Sequence, residues 1–531
     1  MKRNNFQGIM KLLKLYLRRD RFILPVWILL PMILLAGQVS FVGAMEDWRE
    51  FITELSSSPL TQAYLGSIVP LSKEGAVLWR AMLQGSMAVM LGASLTTIRH
   101  TRTEETSGRT ELIFGKSVGR YAGITAALIL SCMGSLVAGL AGVAALIGGG
   151  FALDGALLAG FTLGLSGCLF AGIGSLFAQI FEHSGAAISS IFALYGFTMV
   201  PMVLNNIAGG RTLWAWFAPE SWFRITEPFG GNYFWPLVLF VLLSLVPMVV
   251  SIKLLENRDL GFGLLRQKDG KPNAKPGFST PIALAWKQHK RGIMIWSLGM
   301  IFLGGSMGIA APSISESISP MLTEISSWAA TMQNLGNQEG FIAALIYILG
   351  LMAGLSVFAI SGVLSLKEQE KEHYAELVLS RAVSRGRWMA SYLAVVFIGS
   401  ALILLSLGIS TGLGWSIAAG DFSYLIRVLG MSLSKLPSVW MIVSVSAMLY
   451  GWVPRFSGIL SWMILGIFIL VEMMWEAGLV GLSVLKLTPF AYAHYTIPIE
   501  KVAIFPLIAL ILISILTVWV GIKGFSKRSI Q

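Results

Sequence analysis

The 531-residue sequence predicts an all-α membrane protein of about twelve transmembrane helices in two homologous six-span halves. Three observations predict it. The chain is 55% hydrophobic and only 12% charged, whereas soluble proteins carry about a quarter charged residues. Long apolar runs recur along its whole length. One charged phrase occurs twice, half the chain apart.

The spans come first. About 20 mostly apolar residues cross a bilayer, and runs meeting that criterion lie at roughly 22–42, 76–98, 121–147, 155–181, 185–204, 236–253, 292–311, 341–366, 388–413, 426–449, 457–475 and 503–523. Only Glu182-His183-Ser184 separates the fourth from the fifth, and a turn at Pro454-Arg455 separates the tenth from the eleventh, so both pairs read as tight hairpins. The first run is long enough to span and has no small-residue cleavage site, so no cleaved signal peptide is expected.

Direction follows from Lys and Arg near the span ends. Residues 253–291 hold nine, and the loops 99–120 and 366–387 hold five each, while 312–340 holds none. Both termini and both of these loops are therefore expected on the cytoplasmic side of the cell membrane. The net charge of +12 is a topology signal and not a nucleic-acid footprint. Cys132 and Cys168 lie in apolar spans and suggest neither disulfide nor metal.

The repeated phrase is the most informative feature. Glu104-Glu105-Thr106-Ser107-Gly108-Arg109-Thr110-Glu111-Leu112, then Val118-Gly119-Arg120, returns as Gln369-Glu370-Lys371-Glu372-His373-Tyr374-Ala375-Glu376-Leu377, then Val383-Ser384-Arg385. The offset is 265 residues throughout. Two solvated, positive-inside loops would explain the charges but not their matched order. The phrase reads as a short helix parallel to the membrane, with Glu105, Gly108 and Leu112 on one face. Each half also opens on a basic amphipathic lead-in, Lys11–Arg19 and Ala283–Arg291, suited to the lipid interface. Aromatic segments with proline, 214–219 and 487–492, suit short helices at the outer interface. The domains read as 1–256, a cytoplasmic linker 257–281, and 282–531, the linker being flexible around Gly270–Gly277.

The phrase resembles the cytoplasmic coupling segment of ABC transporter permeases of the type 2 exporter class. Ser117 and Ala382 stand where proline is usual there, and His373 where glycine is usual. Arg258-Asp259-Leu260-Gly261-Phe262-Gly263-Leu264 is similar to the signature of twelve-span exporters of polyketide antibiotics, the tetronasin transporter among them. As an ordinary reading, the same residues make a helix end with a glycine stop. The resemblance implies a permease and not an enzyme, moving a small hydrophobic or amphipathic substrate outward. Two copies of a separate ABC ATPase would dock on it, and ATP and Mg would belong to that partner. By the same resemblance Glu105, Gly108, Glu111, Leu112 and Arg120, with Glu370, Glu376, Leu377 and Arg385, would couple the chain to the ATPase. No cofactor, metal or nucleic-acid site is expected in this chain. Gly115-Lys116-Ser117 lacks the earlier glycine of a phosphate loop, since Thr110 holds that position.

Two other readings stay open. A proton-driven transporter of the major facilitator type also has twelve spans, but its usual loop motif needs an aspartate that 99–120 lacks. A non-transporting sensor or scaffold for an ATPase is the other. The glycines at 134, 139, 142, 160, 164 and 167 read as close helix packing. Lys435 and Glu472 are the deepest charges, about 21 Å and 22 Å from their shared turn at 1.5 Å per residue. They either meet at that depth or snorkel separately to the outer interface.

Overall fold

The computed structural model describes residues 5–44, 48–57, 59–114, 118–259, 261–265, 280–324, 336–353, 355–371, 373–380, 383–476, 480–494 and 504–528. The linker stretch Gly270–Gly277 and Ser117 and Ala382 lie outside them. Among the described residues every named element is helical. Ten helices are long and apolar enough to cross a membrane, and two shorter apolar helices lie within Gln338–Gly350 and Ser457–Glu472. The chain forms two compact units, Met1–Gly270 and Lys271–Gln531.

Unit 1 begins with α1 (Ile9–Arg19). Its Leu12 and Tyr16 are buried while the cationic face is outward. The first three spans are α2 (Leu24–Ala44), α3 (Lys73–His100) and, after two short helices α4 (Arg102–Thr106) and α5 (Arg109–Phe114), α6 (Ala122–Gly148). The unit ends with α7 (Leu153–Ile180), α8 (Ser184–Ile207) and α9 (Pro236–Glu256). The glycines of α6 and α7 let the two backbones touch: a Cβ on Gly139 would lie 2.2 Å from the Gly160 carbonyl oxygen. In a bilayer such close packing replaces the hydrophobic drive that lipid removes. Aromatic 214–222 folds into short 3₁₀ turns, and Trp222 stacks on Phe240 of α9 with centroids 3.9 Å apart.

Residues 257–259 and 261–265 are not a free linker. Leu264 and Leu265 donate backbone hydrogen bonds to Gln179 and Ile180 at the end of α7, at 3.2 and 2.9 Å, and Leu265 forms a parallel bridge with Phe181. Gly261, with φ +88°, supplies the reversal after α9 that lays this segment there.

Unit 2 contains α10 (Pro281–Glu324), α11 (Asn337–Tyr347), α12 (Leu355–Lys371), α13 (Tyr374–Leu379), α14 (Arg385–Ala419), α15 (Ser423–Leu433), α16 (Leu436–Trp452), α17 (Ser457–Glu476) and α18 (Ile504–Lys527). A π-helical stretch, Ile348–Ala353, follows α11. The second lead-in, 283–291, is not a separate interfacial helix as expected. It is the first turns of α10, because nothing there stops the helix, whereas α1 ends at Asp20, whose carboxylate is held by other side chains. Gly451 of α16 meets Gly521 of α18, where a Cβ would lie 2.1 Å from the facing carbonyl oxygen.

Candidate coupling site

The phrase at 104–120 does not form one continuous surface helix. Gly108 has φ +72°, outside the right-handed helical region, so α4 and α5 meet there at a corner. Glu105 and Leu112 therefore lie on different helices and share no helical face. At the 265-residue offset His373 takes the same left-handed conformation, φ +59°, between α12 and α13. Glycine enters that region freely, while an L-residue does so at a cost of about 1 kcal/mol.

Glu105 faces inward. Its Oε2 accepts from Arg102 Nη1 at 2.7 Å and its Oε1 from Arg258 Nη2 at 2.6 Å, and its side chain is 9% exposed. Arg102 also donates through Nε to the Ala178 carbonyl at 2.8 Å, and Arg258 donates through Nε to Gln179 Oε1 at 2.7 Å. Both arginines reach the Phe262 carbonyl. One carboxylate and two guanidiniums thus join α4, the end of α7 and the strap after α9. Arg120 completes the closure: its Nη2 donates to the carbonyls of Leu255, Glu256 and Arg258 at 2.9, 3.2 and 3.2 Å. A cation there satisfies the open carbonyls of a helix C-terminus and its negative end.

Unit 2 repeats this arrangement with other residues. Glu370, at 5% exposure, receives both guanidinium nitrogens of Arg528, at 3.0 and 2.7 Å, and the Tyr450 hydroxyl at 2.9 Å. Arg528 follows α18 directly, as Arg258 follows α9 by two residues. Arg385, the counterpart of Arg120, donates to the Arg528 carbonyl. In each unit a glutamate and an arginine of the phrase hold the end of the last span.

The amphipathic α1 is bound to the same place in unit 1. Arg19 and Arg109 both donate to Glu104. Asp20 Oδ2 lies 2.7 Å from His100 Nε2, and its Oδ1 lies 3.2 Å from Arg99 Nη2. The Tyr16 ring stacks on His100 with centroids 4.1 Å apart. Burial, with a smaller contribution from Glu104, pushes the Tyr16 phenol up to about 12. The chain ahead of α1 is tied to 118–121 by Gly119 N–H to Gln7 O and Tyr121 N–H to Asn5 O, at 2.8 and 2.9 Å.

What remains outward is a ledge. Glu111 and Gly108 are exposed in unit 1. In unit 2 Leu377 is 68% exposed, Tyr374 55%, and the Glu376 side chain 53%, with His373 Nδ1 3.0 Å from Glu376 Oε1. For Leu112 the helical backbone is described and the side chain is not. The nine residues of the phrase thus divide into inward Glu105 and Glu370; Arg120 and Arg385, which bind the chain at the end of the last span although Arg120 is itself exposed; and outward Gly108, Glu111, Glu376 and Leu377, with Leu112 unassigned. Sequence reasoning missed Asp20, His100, Arg102, Tyr450 and Arg528 altogether. Arg258 stood in a recognised signature, yet its partner was not foreseeable.

Lys435 and Glu472 are both fully buried within unit 2. Lys435 sits at the break between α15 and α16, and its Nζ donates to the Ala493 carbonyl at 2.6 Å.

A bundle of apolar helices, ten of them among the described residues long and apolar enough to cross a membrane, defines a multi-pass membrane protein. Over 99% of its length the chain is similar to the multidrug efflux system permease protein Rv1217c of Mycobacterium tuberculosis (strain ATCC 25618 / H37Rv), 31% identical over 535 residues and covering 96% of that protein. Residues 278–526 match the family model described as the C-terminal domain of multidrug efflux system permease Rv1217c. The chain belongs to this family of efflux-system permeases.

Proposed function

We propose that the chain is the membrane subunit of an ATP-driven ABC exporter, moving hydrophobic or amphipathic compounds such as antibiotics, drugs or lipid-like molecules out of the cell. Two copies of a separate ATPase subunit, carrying ATP and Mg, would dock from the cytoplasm, where both termini also lie. The relative's name, a multidrug efflux permease, supports the cargo class, and the type 2 resemblance supports the energy source. The observation that carries the reading is the pairing of an exposed ledge with an inward latch in both units. Glu111 in unit 1, and Tyr374, Glu376 and Leu377 in unit 2, are presented to a partner. Glu105 with Arg120, and Glu370 with Arg385, fix those ledges to the ends of α9 and α18.

That geometry gives a physical route for coupling. A push on the ledge from a closing ATPase dimer would not be absorbed by a loose loop. In unit 1 it would reach α3, α7 and α9 together, because buried charge pairs leave α4 few alternative positions. Breaking such a pair costs about 3–5 kcal/mol.

The test is co-expression and co-purification with a candidate ABC ATPase subunit, followed by transport in inside-out vesicles. The reading expects two ATPase copies per permease and uptake that needs ATP hydrolysis. Transport without an ATPase, driven by a proton gradient, would replace it with the secondary-transporter reading. Docking without transport of any hydrophobic probe would leave the scaffold reading.

A further inference from the structure

At the end of unit 1 opposite α4 and α5 lies an open basin of about 490 Å³ whose lining includes Arg211, Trp216, Arg224, Glu227, Tyr233 and Trp235. Arg224 is its unusual member. It is only 8% exposed, its Nη1 donates to the Ser67 carbonyl at 2.9 Å, and its Nη2 donates to the Leu65 carbonyl. Its Nε is enclosed and has no hydrogen-bond partner. Among the described residues no carboxylate forms an ion pair with it, since Glu227 is taken by Arg211. Burial brings the guanidinium down to about 10, so it keeps its charge at neutral pH.

The guanidinium is held firmly. The loop behind it has φ +69° at Gly66, where a Cβ would fall 2.5 Å from Arg224 Nη2. The neighbouring carbonyls are occupied: Trp79 Nε1 donates to Gly66 O at 2.7 Å, and Asn206 Nδ2 donates to Ala63 O and Tyr64 O at 3.0 and 3.1 Å. The basin therefore offers two cations against one carboxylate, on a rigid frame. A buried charge without a counter-charge is costly, and guanidinium forks favour phosphate oxygens.

Its level in the membrane narrows the ligand. Trp235, 58% exposed, is the residue before span α9 begins, and Leu213 and Phe217 nearby are 80% and 66% exposed. Aromatic residues at span ends mark the headgroup layer. We infer that this basin binds the phosphate of an anionic phospholipid, with Arg211 and Arg224 toward the phosphate and the Trp216–Trp235 wall toward the glycerol and first methylenes. The inference is independent of how transport is energised.

The test uses the purified full-length chain in detergent and native mass spectrometry, with phosphatidylglycerol, phosphatidylcholine and inorganic phosphate as probes. Wild type should retain phosphatidylglycerol in preference to phosphatidylcholine. Arg211→Glu reverses an exposed charge, at the loss of its ion pair with Glu227, and should lower that retention about tenfold, the equivalent of one charge-assisted hydrogen bond. Arg224→Gln should do the same. If that variant fails to fold, Arg211→Glu decides the matter. Equal retention of the two lipids, or unchanged retention in Arg211→Glu, overturns the inference. Displacement of phosphatidylglycerol by millimolar inorganic phosphate would show a free-anion site and overturn the lipid assignment.

Discussion

Arg258, two residues past the last span of unit 1, places its Nη2 2.6 Å from Glu105 Oε1, across 153 residues of sequence. Unit 2 makes the same connection between Arg528 and Glu370 at 2.7 Å, across 158 residues. A glutamate that reads as a docking contact is thus a bolt between the surface helices and the final span.

Loss of that bolt should be severe. Glu105→Ala leaves Arg102 and Arg258 buried without their shared carboxylate, so unfolding stability in detergent should fall by about 3 kcal/mol or more. The double change Glu105→Gln with Arg258→Gln should cost less than the sum of the single changes, since the two side chains touch. Additive losses in that cycle would mean the ion pair carries no coupling energy.

The outward residues should behave in the opposite way. Glu111→Ala and Glu376→Ala remove exposed carboxylates, and surface changes of this kind stay within about 0.5 kcal/mol of stability. Thermal unfolding should be unchanged while ATPase stimulation by the complex drops. Normal stimulation in a variant carrying both changes together with Leu377→Ala would remove the ledge from the coupling path.

The left-handed corners predict opposite effects in the two units. Gly108→Ala meets open space but forces a Cβ into φ +72°, so it should destabilise by about 1 kcal/mol. His373→Gly relieves the same conformation at φ +59°, at the loss of the exposed Glu376 contact, and should be neutral or mildly stabilising. A melting series on the two single variants checks both signs.

Glu220, in the 3₁₀ turn after Pro219, is fully buried, and burial pushes its carboxyl from 4.5 up to about 7. The folded chain therefore holds this proton more tightly than the unfolded chain does. Its contribution is complete below about pH 4.5 and is lost as pH rises to about 7, a change of up to about 3 kcal/mol. Glu220→Gln should abolish that part of the pH dependence of thermal unfolding. A wild-type profile that matches the variant across this range would contradict it.

Lys435 and Glu472 call for a double-mutant cycle. If they interact, Lys435→Ala alone should harm folding or export more than Lys435→Ala with Glu472→Ala. Strictly additive losses would show that each charge is held by its own surroundings, Lys435 by the Ala493 carbonyl.

The sequence by itself determined the class, the spans and the doubled phrase. A membrane helix is encoded locally, by about 20 apolar residues and the cations beside them, so α2, α6, α7 and α9 were legible within a few residues. The run expected at 457–475 corresponds to α17, and the one expected at 341–366 is divided among α11, the π-helical stretch and α12. The corner at Gly108 was half legible: the glycine was visible, but an apparent helical face concealed the break. Only the tertiary structure decided which charges of the phrase face inward. Glu105 and Glu111 are both glutamates on short polar segments, and no local pattern separates them. Glu105 is latched because α9 returns its C-terminal arginine to the same end of the unit, while Glu111 has no such neighbour in the described structure. Hydropathy is a property of a segment, but an ion pair is a property of two segments brought together, and its partner's place in the chain is set by the folding of everything between them.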